Sequence, residues 1–175
     1  QMNLFISRTL HTDVLTESAR NYYLGQVYGL RAYYMYQLYR SWGDVVFTEE
    51  PSLGFEVGKL AKAATPAAEI FEQVKKDIES SLSYFGSDYT IKEKKSLWSK
   101  AATLMLKADV YLWSAHRDGG EGDARTAKNA LVDIQNNISR SNLDLMDTYQ
   151  GVFAYDNKGN KEIIFTIHNE LFEYN

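Results

Sequence analysis

Cysteine is absent from the 175 residues, which removes disulfide frameworks, thiolate zinc sites and thiol nucleophiles together. The same absence leaves the redox compartment open. No stretch approaches the roughly 18 consecutive apolar residues of a membrane-spanning helix. Gln1-Met2-Asn3-Leu4 shows no basic segment followed by an apolar one and a small-residue cleavage site, so no signal peptide is visible. Either the protein is cytoplasmic, or a targeting segment was removed or never included in this chain. Basic runs are missing too: 23 Asp and Glu against 19 Lys and Arg give a net charge of -4, which argues against a nucleic-acid partner held by phosphate neutralisation. Two prolines and 11 glycines leave few interruptions, so the chain should be mostly helix.

What is present is apolar and aromatic. Hydrophobic residues make up 45% and aromatic residues 14%, enough to bury one substantial core in one domain or part of one. From Thr16 to Trp42, Leu24, Val27, Tyr28, Tyr34, Met35, Leu38 and Trp42 recur at spacings near three and four, and further tyrosines widen the stripe. This is a helix packed on more than one side. Gly43 ends it, Asp44 to Thr48 reads as a short extended segment, and residues 51–64 form a connecting loop. Thr65-Pro66 is a helix-start signature with the Thr65 hydroxyl as cap. Ala67, Ile70, Phe71, Val74, Ile78 and Leu82 then mark an inner face, and Gly86 marks the stop.

Ser96 or Ser99 caps a further helix with Ala101, Leu104, Met105, Ala108, Tyr111, Leu112 and Ala115 on its apolar side. Gly119, Gly120 and Gly122 open a turn, after which Asp123 caps a helix facing inward through Ala127, Ala130, Leu131, Ile134 and Ile138. Glu162 to His168 is a β-branched run suited to a short strand. The pair from about Ser99 to Ile138 has the dimensions of a tetratricopeptide helix pair without its consensus. The expected fold is therefore mostly all-α: irregular tetratricopeptide-like helix pairs in one domain over 1–175, with a short extended segment or strand near the C-terminus.

Catalytic patterns are hard to find. His11, His116 and His168 lie in separate segments with no second imidazole one helical turn away. There is no Gly-x-Ser-x-Gly elbow, phosphate loop or dinucleotide fingerprint. A glycosidase needs two carboxyls with shifted pKa values, but Glu49 with Glu50 reads as a loop pair, and Asp77 with Glu79 as part of a solvated helix face. The turns Asp118 to Asp123 and Asp156 to Glu162 offer oxygens of the kind calcium takes, yet neither matches the roughly twelve-residue EF-hand spacing. No cofactor is expected, with calcium the one ion these turns could hold. Most aromatic residues sit at core spacing. Phe55, Tyr89 and Tyr155 fall in expected loops and are the candidate ligand-binding residues, because an exposed ring offers a flat apolar face to the C–H side of a sugar.

The run Tyr23 to Val46, with Leu30-Arg31-Ala32-x-x-Met35 and Trp42-Gly43-Asp44-Val45, resembles the most recognisable stretch of the SusD/RagB family. Val46 stands where that family usually has proline. Ala68 to Glu79, Ser99 to Leu112 and Asn160 to Phe165 resemble three further family blocks in the same order. The resemblance implies a non-enzymatic binder of oligosaccharides or other nutrients on the outer face of a cell outer membrane. It further implies an N-terminal lipid anchor that this chain lacks, and delivery to a SusC-like TonB-dependent transporter. Members are several-fold longer, so the chain is expected to be a fragment. The rival reading is a helical-repeat adaptor that holds a protein partner in its groove.

Overall fold

A computed structural model describes residues 1–51, 61–92 and 95–167. Its helices are α1 (Met2–Leu10), α2 (Glu17–Trp42), α3 (Ala67–Phe85), α4 (Lys100–Ser114), α5 (Gly120–Asn136), α6 (Ile138–Ser141) and α7 (Tyr149–Phe153). The chain is mostly helical, as expected, with no strand among the described residues. α2 lies at the centre: it packs on α1, most extensively on α3, and also on α4, while α4 and α5 form the second pair. The absence of a one-sided stripe in α2 has its cause in these three neighbours.

Local chemistry sets the boundaries. The Thr16 hydroxyl accepts from Ala19 N–H at the start of α2, and Gly43, at φ 72°, closes it. Ser99 caps α4 in the same way, and Gly86 at φ 52° ends α3. Thr65 does not cap α3. Its backbone instead pairs with Val45 in an isolated antiparallel bridge, and Asp44 from the same crossing accepts from Ala67 N–H at 2.8 Å. The Trp42-Gly43-Asp44 exit of α2 thus supplies the cap of α3.

Asp123 is likewise not a cap. α4 runs on as a π turn, Ala115–Gly119, the direction reverses at Gly120 with φ 55°, and α5 already includes Asp123 in its first turn. A Cβ at Gly119 would sit 1.9 Å from Asp123 Oδ2, so the turn needs glycine there for closeness and at 120 for its dihedral. The run expected as a strand from Glu162 to His168 forms no strand among the described residues, although Thr166 N–H donates to Lys95 O. His168 lies outside the described residues. α1 was not anticipated at all.

Three apolar clusters fill the interior. One joins Met35, Tyr36, Ile70, Val74, Ile78 and Leu106 from α2, α3 and α4 with Trp98 of the α3–α4 connection. A second joins Leu104, Ala108, Ala127, Ala130, Ile134 and Leu143. The smallest joins Ile6 of α1 to Leu24 and Val27 of α2. Tyr34, Trp42, Met105, Leu112, Leu131 and Ile138, expected inside, are exposed; their spacing is helical, but they fall at the edge of each stripe, where none of the described residues covers them.

Asp77 departs furthest from expectation. It is buried rather than solvated, because Arg31 on α2 grips it with Nε to Oδ2 and Nη2 to Oδ1, both at 2.7 Å. Gln73 adds a third bond at 3.0 Å. Arg31 Nη1 reaches Asn3 of α1 at 2.9 Å, and the guanidinium lies over Tyr28 and Phe47. Burial pushes the Asp77 carboxyl up while Arg31 and Gln73 oppose it. The guanidinium feels burial in the other direction, but its carboxylate partner outweighs that and holds it above its ordinary value.

Close approach is the second constraint. A Cβ on Gly29 would lie 2.0 Å from Trp98 Nε1, and one on Gly25 2.9 Å from Phe85. In the space these glycines leave, Trp98 Nε1 donates to Thr103 Oγ1, Thr103 and Ser81 share a bond of 2.8 Å, and Ser81 Oγ donates to the Gly25 carbonyl.

Asp77→Ala leaves a buried guanidinium unpaired and should lower unfolding stability by about 3–5 kcal/mol. Arg31→Met combined with Asp77→Leu should recover most of that loss; urea titration followed by circular dichroism reads both, and equal losses would show that the stranded charge is not the cause. Gly29→Ala should cost about 1–3 kcal/mol by overpacking against Trp98, with no change in helix content before the transition.

Candidate functional site

The three aromatic candidates separate in space. Phe55 lies outside the described residues. Tyr89 is buried: its hydroxyl donates to Asp133 Oδ1 at 2.6 Å, and Lys100 Nζ and the Arg140 guanidinium lie 4.0 and 4.7 Å from its ring centre. The hydroxyl is pushed up to about 12, first by burial and then by Asp133. Tyr89 is therefore a structural pin between the α3–α4 connection and α5, not a ligand platform.

Tyr155 does stand outside, 85% exposed, and the structure adds rings that loop position alone missed. α7 is capped by Thr148, whose hydroxyl accepts from Gly151 N–H. Its Tyr149 and Phe153 are one helical turn apart, with ring centres 5.1 Å apart, and both are largely exposed. Three exposed aromatic side chains thus fall within seven positions. The signal that could have found them was the Tyr149-x-x-x-Phe153 spacing in a segment with no further apolar repeat.

The backbone beneath is tied down by amides. Asn157 Nδ2 donates to Gly151 O, and Asn160 Nδ2 donates to Val152 O and Asn157 O. Asn160 Oδ1 accepts from Glu162 N–H, and Glu162 Oε2 from Met146 N–H. Lys95, itself buried, donates from Nζ to the Asn160 carbonyl at 2.5 Å, and burial pushes its ammonium down. Beside this corner a depression of about 660 Å³ is lined by Val152, Phe153, Tyr155, Lys158, Phe165 and Ile167 among others. Lys158 Nζ lies 4.0 Å over the Tyr155 ring.

The other candidates do not converge. His11 Nδ1 bonds Ser7 O in its own helix, and His116 is exposed on the π turn. Glu49 and Glu50 are exposed at the rim of a groove of about 770 Å³ whose floor is the Arg31–Asp77 pair. Both Asp77 oxygens are held by Arg31 or Gln73, so the one buried carboxyl there is engaged as an anchor. In the turn at 118–123, Glu121 pairs with Arg125; in the turn at 156–162, the side-chain oxygens of Asn160 and Glu162 accept backbone N–H groups. No group of three or more His, Asp or Glu gathers among the described residues.

No family model matches the sequence. Over 113 residues, 63% of its length, the chain is 34% identical to SusD-like protein P38 of Formosa agariphila, of which it covers 20%. SusD-like protein P25 of the same bacterium aligns with 94% of the chain at 25% identity and is itself covered over 29%. Among solved structures, B. fragilis NanU superposes on 99% of the chain with a TM-score of 0.87 and 48% identity. The chain is SusD-like. A SusD superfamily protein from Bacteroides vulgatus agrees over 99% of the chain, with a TM-score of 0.85 and 44% identity. This SusD-like chain spans 34% of each of those two structures. The same fold, at a TM-score of 0.70 and 21% identity, occurs in surface glycan-binding protein A from Bacteroides thetaiotaomicron, solved in complex with laminarihexaose.

Tyr89→Phe removes one hydrogen bond but leaves Asp133 its bond from Asn137, and should cost about 1 kcal/mol without altering ligand affinity. A raised tyrosine pKa means that the unfolded chain loses its proton first. The stabilisation is therefore intact below the ordinary 10.0 and lost as pH rises through about 12. Wild-type stability should accordingly fall more steeply than that of Tyr89→Phe across this window in urea titrations.

Proposed function

We propose that residues 1–175 form one helical-repeat domain of a longer SusD-like protein. That protein binds glycans or related nutrients without chemical turnover, on the outer face of an outer membrane. In this reading a lipid at the N-terminus of the full-length protein anchors it, and bound oligosaccharide passes to a SusC-like TonB-dependent transporter. The kinship with SusD-like proteins, together with a laminarihexaose complex on the same fold, supports glycans as the ligand class. No helix among the described residues is long and apolar enough to cross a membrane.

Within the described residues, the observation that carries the binding site is the exposed ring of Tyr155, which lines one depression together with Phe153. A ring face packs on the C–H face of a pyranose, whereas sugar hydroxyls need partners that an apolar surface lacks. This corner offers rings at the rim of an open depression, with the Lys158 ammonium as a donor. Non-catalytic binding accords with the engaged state of Asp77: a general acid or base must be free to exchange its proton with a substrate.

Isothermal calorimetry of the full-length protein against a panel of neutral and acidic oligosaccharides, laminarihexaose included, tests the reading. At least one glycan should bind and be recovered unchanged. Tyr155→Ala should weaken that binding roughly two- to tenfold, the range set by one ring-face contact, at unchanged thermal stability. Silence across the panel, or an unaltered affinity in Tyr155→Ala, would count against the proposal and the site respectively.

A further inference from the structure

The groove between α1 and α2 is apolar almost throughout. It encloses about 560 Å³, with Met2, Leu4 and Phe5 on one wall and Tyr23, Val27 and Leu30 on the other. Tyr23, Val27 and Leu30 follow one another at four and three residues and so share one face of α2. Phe5 meets Tyr23 edge to face at 6.3 Å. Leu4, Phe5 and Tyr23 nonetheless remain 38%, 45% and 42% exposed. Arg8 is the single charged residue among those lining the groove.

Stacked helical repeats bury each apolar face on the next unit, and an end that stays in water carries a polar outer surface. α2 meets α3 and α4 on its other sides, but this side is apolar and uncovered among the described residues. A glycan is a poor occupant, since its hydroxyls would find almost no polar partner. A shallow trough between two helices, with an i, i+4, i+7 row on its wall, has the form that receives a third helix. A source for that helix follows from size: SusD-like structures that superpose on nearly all of this chain contain about two thirds of their length beyond it.

We infer that the α1–α2 groove is the docking site of an amphipathic helix from the remainder of the SusD-like polypeptide, with an acidic side chain of that helix facing Arg8. The inference rests on the reading of the chain as part of a longer protein. Tethering within one polypeptide gives such a helix a high effective concentration, so modest contact area suffices for stable docking.

The absence of cysteine from this chain makes the test direct. Single cysteines are introduced into the full-length protein, any native thiol elsewhere being replaced by serine, at Phe5→Cys, Tyr23→Cys and, as the exposed reference, Val14→Cys, a position 91% exposed. Maleimide labelling of the native protein should be roughly a hundredfold slower at 5 and 23 than at 14, the protection expected of a docked helix that opens rarely. All three should react alike in urea. Labelling at 5 and 23 as fast as at 14 overturns the inference. So does protection that disappears on dilution, which would make a second copy the occupant. If Phe5→Cys fails to fold, Leu4→Cys reports on the same wall. Calorimetry on the same variants separates the two proposals: protection without glycan binding removes the glycan reading alone, and glycan binding with a reactive groove removes the docking helix alone.

Discussion

The buried fork of Arg31 on Asp77 holds the arrangement of the first three helices. Three of the guanidinium's donors go to Asp77 and Asn3, so α1, α2 and α3 converge on one cation. Two charges leaving water together are expensive, and the pair is tolerable because its geometry is bidentate and Gln73 satisfies a further lone pair. Its value is therefore specificity more than stability. A slip of α3 along α2 by one residue would separate the fork from its carboxylate and strand both charges, which penalises alternative registers that apolar packing alone would tolerate.

Around that anchor the helices approach closely because α2 has glycine where α3 and the Trp98 segment cross it. Gly25 and Gly29 carry a helix-propensity penalty of about 1 kcal/mol each, offset by the packing of Phe85 and Trp98 into the vacated space. Those contacts also enclose the chain of bonds from Trp98 through Thr103 and Ser81 to the Gly25 carbonyl. In that chain each hydroxyl has a single proton: Ser81 gives its own to the carbonyl, Thr103 accepts from the indole, and the Thr103 proton is shared between Ser81 Oγ at 2.8 Å and the Ser99 carbonyl at 3.3 Å. A continuous donor sequence of this kind satisfies both the Ser81 and the Thr103 hydroxyl. This chain of bonds and the Arg31–Asp77 fork are thus two polar places in the dense interior, each with its own hydrogen-bond partners.

The elements legible in the sequence were those decided by nearby residues. Thr16, Ser99, Gly43 and Gly86 act within four positions of themselves, and the inner faces of α3 and α5 follow from helical spacing. What stayed hidden depends on partners far along the chain. Asp77 looked solvated because Glu72, Lys76 and Glu79 surround it in sequence, while its partner is 46 residues away. Tyr89 looked free because it follows a turn, and its partner Asp133 lies 44 residues on. Thr65 lost its capping role to Asp44, a competitor from the preceding helix exit. α1 is short, and its burial rests on Ile6 and Thr9, too few positions for a period to declare itself. For the site, one loop aromatic of three, Tyr155, stands where a ligand could meet it; Phe55 falls outside the described residues.

The distribution of polar groups bears on how a glycan could be held. Beneath the Tyr155 corner, the Asn157 and Asn160 amides and the Lys95 ammonium are already spent on backbone carbonyls, and Glu162 on a backbone N–H. This makes the corner rigid, which favours ring stacking because a preorganised face loses little entropy on contact. It also leaves the corner short of hydrogen-bond partners. A sugar resting there would keep most of its hydroxyls facing outward, toward water or toward protein beyond these residues. Stacking without polar clamps is tolerant of sugar identity and weak at a single ring. On the proposed reading, the choice among glycans is therefore made by groups outside this helical scaffold, and the scaffold's contribution is a fixed aromatic surface against which that choice is made.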